Sequence, residues 1–378
     1  MGTGAEDASK WAVGAGSQQH SSNDRCTARQ RHRAACAIGF AVEDRLFQRF
    51  ARGCAFRCEY GRGGASDFRF CGGAGRVGHR DHAIAGTADR LAFADPTITP
   101  TPTLAQVVPS AFANLNQLDG SSTLASAGVE LNEMQRSQLM ERIEDFRAQG
   151  YQASFVVVDM RTGAAIASYG GMPMYTASSI KAPYIVSLAQ TGAVDINAVA
   201  TSATADAAGL NQLITQTLQV SDNDTYEALY KRFGAAPTMQ WLAGTDATTG
   251  LNGYYGDVTA IDLARMWVNS YDYLFGASAD AADAQGRTWL AQQMRSSLNS
   301  SIAAVHGEGE IVASKAGWIY GEGNLYAYND AGIVIPAGSM QLSEKPQGYV
   351  LAMLTNACAR DDLLTALAQT VDDAMRAA

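Results

Sequence analysis

Strand-like apolar runs stand near both ends of the regular part of this chain, and helical patterns fill the interval between them. The runs SFVVVDM (154–160) and AAIASYG (164–170) follow an amphipathic segment from Leu131 to Gly150, in which Leu139, Ile143 and Phe146 recur at i, i+4 and i+7. Arg161-Thr162-Gly163 supplies a hairpin turn between the two runs. In the last sixth of the chain NLYAYNDAGIVI and GYVLAMLTN read as strands, and DDLLTALAQTVDDAM places Leu364, Leu367, Val371 and Met375 on one helix face. This order predicts an α+β fold in three layers. An antiparallel sheet is built from both ends of the chain and flanked by the N- and C-terminal helices, with an all-helical subdomain inserted over about 178–300. A cleft between insertion and sheet is where a site is expected.

Residues 129–378 form the domain in this reading. The stretch 96–128 is rich in Thr, Pro and Ser and reads as a linker, and residues 1–95 show no sustained period of either kind. Charge divides the chain at the same place: residues 1–95 hold 14 Lys and Arg against 10 Asp and Glu, whereas the rest holds 14 against 27. The net charge of −9 excludes a nucleic-acid binder of the ordinary basic kind. No run approaches the ~18 apolar residues of a membrane span. Five of the six cysteines (Cys26, Cys36, Cys54, Cys58, Cys71) and four of the five histidines (His20, His32, His79, His82) fall before residue 96. They lack paired C-x2-C spacing, so neither a zinc site nor a disulfide framework is read from them. This segment is expected to be disordered or non-native, the product of an upstream start or a frame error. Ala92-Phe93-Ala94 before DPTITPTPT is similar to the end of a signal peptide, although Asp89 and Arg90 interrupt the apolar stretch that should precede it.

Chemistry enters at MYTASSIKAPYIV (174–186), where Lys181, one of only five lysines, lies three places after Ser178 at the start of an apolar helix. One helical turn brings the two side chains to the same face, so the amine can approach the Ser178 hydroxyl. A serine is a weak nucleophile until a neighbour takes its proton, and a lysine does so only when its pKa is lowered. Alone the pair reads equally as a capping serine and a solvated lysine. Two further triplets follow in order: Ser221-Asp222-Asn223 at the beginning of another helix, and Lys315-Ala316-Gly317 at the start of the C-terminal strand region.

Taken together, S-x-x-K, S-D-N and K-[T/S]-G are the signature of class A β-lactamases and penicillin-binding proteins, and from about Leu131 onward the chain resembles that penicillin-recognising serine hydrolase family. NDAGIV (329–334) and DVTAIDLARMW (257–267) look like further family counterparts. The resemblance implies Ser178 as acylated nucleophile, Lys181 as its base, Ser221 as proton relay to the leaving nitrogen, and Lys315 as the positive charge facing the substrate carboxylate and the Lys181 amine. It implies Asn223 as a ligand of the substrate amide, the backbone N–H groups of Ser178 and Trp318 as oxyanion hole, and Gly317 as the point where substrate backbone lies close to the strand. It also implies an extracytoplasmic location, and β-lactams or D-alanyl peptides as partners of a monomer. No metal or organic cofactor is implied. Trp318 and Tyr320 serve equally as packing residues, Lys315 as a strand-edge lysine and Ser221 with Asp222 as a helix cap. His306 has no G-x-S-x-G partner and reads as a surface residue.

Two departures from the family pattern stand out. Ala316 lacks the hydroxyl that helps bind the substrate carboxylate, a charge-assisted bond worth ~1.5–3 kcal/mol. The family's E-x-x-L-N loop, whose glutamate activates the deacylating water, has its nearest match in Thr248-Thr249-Gly250-Leu251-Asn252, with threonine in the glutamate's place. Asp246 and Asp257 are the nearest acids. Three functions therefore stay open: a β-lactamase-like acyl hydrolase, a D,D-peptidase or transpeptidase, and a binding module that has kept the fold.

Overall fold

The computed structural model describes residues 102–247, 254–276, 283–307, 309–336 and 346–377. The expectations for residues 1–95 and for the Thr248–Asn252 match lie outside the described residues. After helix α1 (Leu104–Gln117) come β1 (Ala125–Ala127), α2 (Glu133–Arg147), β2 (Ala153–Asp159) and β3 (Ala165–Ser168). The short strand β4 (Met174–Tyr175) and a 3-10 turn at Ala177–Ile180 lead into α3 (Lys181–Gln190). Helices α4 (Ile196–Thr201), α5 (Ala205–Gln219), α6 (Asn223–Phe233) and α7 (Ala236–Leu242) follow, then β5 (Asp257–Val258), α8 (Ala260–Phe275), α9 (Ala284–Met294) and α10 (Ser301–Val305). The chain closes with β6 (Glu310–Tyr320), β7 (Tyr326–Pro336), β8 (Tyr349–Thr355) and α11 (Asp361–Arg376).

The sheet is antiparallel throughout, in the order β1-β3-β2-β8-β7-β6, so strands from the two ends of the chain meet where β2 pairs with β8. Every residue of β2 is buried because both faces are covered. Phe155 and Val157 join a core with Leu139, Ile143 and Phe146 of α2 and Leu364, Leu367, Val371 and Met375 of α11. Val156 and Val158 point the other way, into the larger core made with the insertion, where α8 contributes Leu263, Trp267 and Tyr271. The alternation of a strand thus sorts its side chains between two helical layers, as the pattern predicts.

Three sequence expectations change. The stretch 96–128 is not only a linker: α1 buries Val107, Ala111 and Leu115, and β1 pairs with β3. Its i, i+4, i+8 stripe is apolar enough to dock, and the Thr/Pro composition with Pro109 inside the helix hides it. His306 is not on the surface. Its side chain is 2% exposed, with Nδ1 2.6 Å from Glu310 Oε2 and Nε2 3.1 Å from Tyr349 Oη. Tyr349 donates onward to Asp372, which also pairs with Arg376, so the histidine belongs to a polar tie between α11 and the sheet. Lys315, finally, is not an exposed strand-edge lysine: it lies in β6, the first of the C-terminal strands, and is fully buried.

Candidate functional site

Ser178 lies in the 3-10 turn that precedes α3, directly after Ala177, whose φ of +45° is rare for a residue with a side chain. Two contacts hold that turn against the sheet. Asn329 of β7 donates through Nδ2 to the carbonyls of Tyr175 (2.8 Å) and Thr176 (3.0 Å), while its Oδ1 accepts from Thr355 N. Gly317 of β6 meets the turn itself: a Cβ there would sit 2.3 Å from Ser179 N and 2.7 Å from Ser178 N. Glycine is required at 317 because the protein's own backbone approaches it, which differs from the substrate contact expected from sequence. Gly317→Ala should therefore push the turn off the strand. A displacement near 1 Å costs up to ~10²-fold in rate, which labelling by a fluorescent penicillin would register while the circular dichroism spectrum stays unchanged.

β6 is the edge of the sheet. Ala316 turns its N–H toward Ser297 Oγ (3.4 Å) and its carbonyl toward Lys315 Nζ (2.7 Å), both off the free edge. Two residues on, the N–H of Trp318 points off the same edge, beside the Ser178 turn that Gly317 contacts. The Ala316 methyl group is buried, and the Trp318 ring packs against the core shared with α2 and α11. Neither side chain therefore joins the group of polar atoms around Ser178. Lys315 Nζ does lie 5.8 Å from the Trp318 ring centroid.

That group is formed by two lysines meeting at one serine. Lys315 Nζ donates to Ser221 Oγ at 2.9 Å. Lys181 Nζ donates to Ser221 O at 2.7 Å, Asp222 O at 3.2 Å and Asn223 Oδ1 at 2.8 Å. Ser221 can address both because its backbone is left-handed (φ +62°), which turns carbonyl and side chain toward different lysines; such a conformation persists only where its surroundings enforce it. Asp222 caps α6 by accepting from Thr225 N at 2.8 Å, so the capping reading holds for Asp222.

Both lysines are 0% exposed. Burial lowers the Lys181 amine to about 7, partly opposed by the Asp222 carboxylate. Lys315 is also lowered to about 7, by burial first and then by the charge of Lys181, with Asp330 opposing. Asp330 is buried too, and burial pushes it up to about 6 although Ile302 N and Ser300 Oγ both donate to it. Ser179, the neighbouring hydroxyl, is fully buried and donates to Thr176 O at 2.7 Å. Ser178 retains 8% exposure.

The structure adds a residue that sequence reasoning missed. Tyr255, next to the loop expected to hold a catalytic acid, donates its hydroxyl to Asn223 Oδ1 at 2.9 Å. Its ring lies against Tyr226 (centroids 5.4 Å apart) and Tyr175 (6.2 Å), and Lys181 Nζ sits 5.9 Å from its centroid. The acids nearest that loop are exposed. Asp246 faces Asn116 of α1 at 3.5 Å, and Asp257 begins β5 opposite Tyr175.

A family model described as the beta-lactamase enzyme family matches residues 136–375, more than half of the chain. No curated protein matches significantly by sequence. Among solved structures, a beta-lactamase from Desulfarculus baarsii DSM 2075 is similar at 18% identity and TM-score 0.47, covering 65% of this chain and 98% of its own. A beta-lactamase from Sphaerobacter thermophilus DSM 20745 is similar at 16% identity and TM-score 0.49, over 64% and 98%. PBP-A is similar at 18% identity and TM-score 0.48, over 64% and 97%.

Proposed function

Since the chain belongs to the beta-lactamase enzyme family, we propose that it is a serine acyl hydrolase that forms an acyl-enzyme at Ser178 with β-lactams or D-alanyl peptides and releases it slowly. The observation that supports this reading best is the pair of buried lysines on Ser221, in the same fold as the turn that carries Ser178. Burial alone gives a lysine near pH 7 a substantial neutral fraction, and a neutral amine accepts a proton that an ammonium cannot.

In the proposed reaction Ser178 Oγ attacks the amide carbonyl and its proton passes to Lys181. In this proposal the developing oxyanion is met by the N–H groups of Ser178 and Trp318, a role supported by the close approach of Gly317 to the Ser178 turn. Ser221 Oγ, held by Lys315, gives a proton to the departing nitrogen and regains one from the Lys315 amine that donates to it. Asn223 offers its amide N–H2 to the substrate, because its Oδ1 already accepts from Lys181 and Tyr255. Lys315 supplies the positive charge that draws the substrate carboxylate. With a buried methyl group at Ala316, that carboxylate lacks the hydroxyl partner usual in the family.

Hydrolysis of the ester needs a second base, and here the chain differs from an efficient β-lactamase. Asp246 and Asp257, the acids nearest the loop in sequence, are both exposed. Losing a general base costs ~10²–10⁴-fold, so a chromogenic cephalosporin should open in a burst equal to the enzyme concentration, followed by a slow steady phase. Linear turnover from the first moment would sink the slow-release part of the reading. Release of D-alanine from a peptide at a rate above the slow phase would favour the D,D-peptidase alternative.

A further inference from the structure

We propose that Ser297 is a substrate-binding residue of this site: its hydroxyl, beside Lys315 at the free edge of β6, takes the place of the one that Ala316 lacks and donates to the carboxylate of the acyl donor. This assignment rests on the acyl-enzyme reading above and names a contact that the reading left open.

Strand geometry sets the two donors side by side. In an antiparallel pair the N–H and C=O of one residue leave the backbone on the same side. Ala316 sends both off the edge that β7 does not cover, its N–H to Ser297 Oγ at 3.4 Å and its C=O to Lys315 Nζ at 2.7 Å. A hydroxyl and an amine therefore stand on neighbouring groups of a single residue, within reach of one anion. The segment that carries Ser297 is fixed from a second direction. Leu298 N donates to Gln219 O at 3.0 Å, two residues before Ser221, and the Gln219 side chain donates to Gln293 Oε1 of α9 at 2.8 Å. This segment thus joins the strand that carries Lys315 to the chain leading into Ser221, whose Oγ accepts from Lys315 at 2.9 Å.

The hydrogens point to an anion. Ser297 Oγ accepts from the Ala316 N–H, and among the described residues no acceptor meets its own hydrogen. A lysine ammonium has three hydrogens, and Lys315 places two of them, on Ser221 Oγ and Ala316 O. Lys315 has no exposed surface, so its charge attracts an incoming anion from below, and the contact has to come from a group nearer the solvent. Ser221, which accepts from Lys315, has its hydrogen assigned to the leaving nitrogen. Ala316 offers only a buried methyl group. Ser297 is half-buried and has a hydrogen to give. The β-lactams and D-alanyl peptides of the proposed reaction each carry a carboxylate to receive it.

The test measures acylation by penicillin G and by its methyl ester over a range of concentrations, in wild type, Ser297→Ala and Ser297→Thr, with intact mass spectrometry counting the adducts. In Ser297→Ala the second-order acylation rate with penicillin G should fall about 10-fold, as expected for loss of one hydrogen bond to a charged group. The loss should come through a higher half-saturating concentration, with the limiting rate within about two-fold, because a contact made equally in the ground and transition states is removed. The uncharged ester should react within about two-fold of its wild-type rate, and Ser297→Thr, which keeps the hydroxyl, should behave like wild type with both. A serine that only caps the edge N–H would change acid and ester alike. Equal losses for the two, an undiminished rate with penicillin G in Ser297→Ala, or a wild type that does not prefer the acid to the ester overturns the assignment and leaves the acyl-enzyme reading standing. Absence of any adduct on the wild type overturns that reading, and the assignment with it.

Discussion

Ser178→Ala should reduce opening of a chromogenic cephalosporin to the rate without enzyme and abolish labelling by a fluorescent penicillin, whereas Ser179→Ala should retain both. Three hydroxyls lie within the motifs, and their surroundings separate them. Ser179 is fully buried and spends its proton on Thr176 O, so it holds the turn together. Ser221 Oγ takes a hydrogen bond from an amine deep between two lysines. Ser178 lies in the turn that packs against the edge strand, three residues before Lys181. Removing a nucleophile removes the covalent route altogether, the largest effect any single change here can have. Because alanine fits the turn as well as serine does, the melting temperature should move little.

The second large effect concerns proton transfer. Lys181→Ala should lower the acylation rate by ~10²–10⁴-fold, the range for loss of a positioned base. The wild-type acylation rate should also follow a bell-shaped pH profile. Lys181 must be neutral to accept the Ser178 proton, and its amine is lowered to about 7 by burial, so the rate rises with pH toward neutrality and falls tenfold per unit below it. Lys315 must be charged to attract a carboxylate, and its amine is also lowered to about 7, so substrate capture fades above neutrality. Each ammonium disfavours charge on the other, and the active form carries one proton on the pair. Stopped-flow acylation measured from pH 5 to pH 9 would show this, and a flat profile would mean that Lys181 is not the base.

The sheet was legible in the sequence because β2 and β8 carry the apolar runs Phe155 to Val158 and Val350 to Leu354 and α2 and α11 carry clean stripes, patterns that need no knowledge of the partner strand. The two lysines were singled out only by three motifs standing in family order, since two of five lysines fell in them, and their burial had no local signal. What stayed hidden is long-range. His306 finds Tyr349 and Asp372 from elements 43 residues and more away, so no local pattern announces its burial. Asn329 sits in what reads as an apolar strand, yet it clamps the Ser178 turn from across the sheet. Tyr255 is one of several tyrosines near the loop, and only the fold turns its hydroxyl toward Asn223 while that of Tyr254 meets Glu227. Gly317 was recognised as a point of close approach, but the partner could be identified only once the turn was in place.

These observations share one physical theme: the site is dry, and dryness sets the charge state of its lysines. Lys181 is enclosed by the rings of Tyr226 and Tyr255, with Nζ 5.4 Å and 5.9 Å from their centroids. Such rings attract the ammonium from above while excluding the water that would otherwise stabilise it. That enclosure suits Lys181 to act as the base of the proposed acylation.

Intact mass spectrometry of the full chain after exposure to penicillin G, followed by peptide mapping, tests the central claim most directly. The expected result is one covalent adduct per chain, carried by the peptide that contains Ser178, persisting for minutes after free penicillin is removed and absent from Ser178→Ala. An unmodified chain, or an adduct mapped to Ser179 or Ser221, would contradict the account.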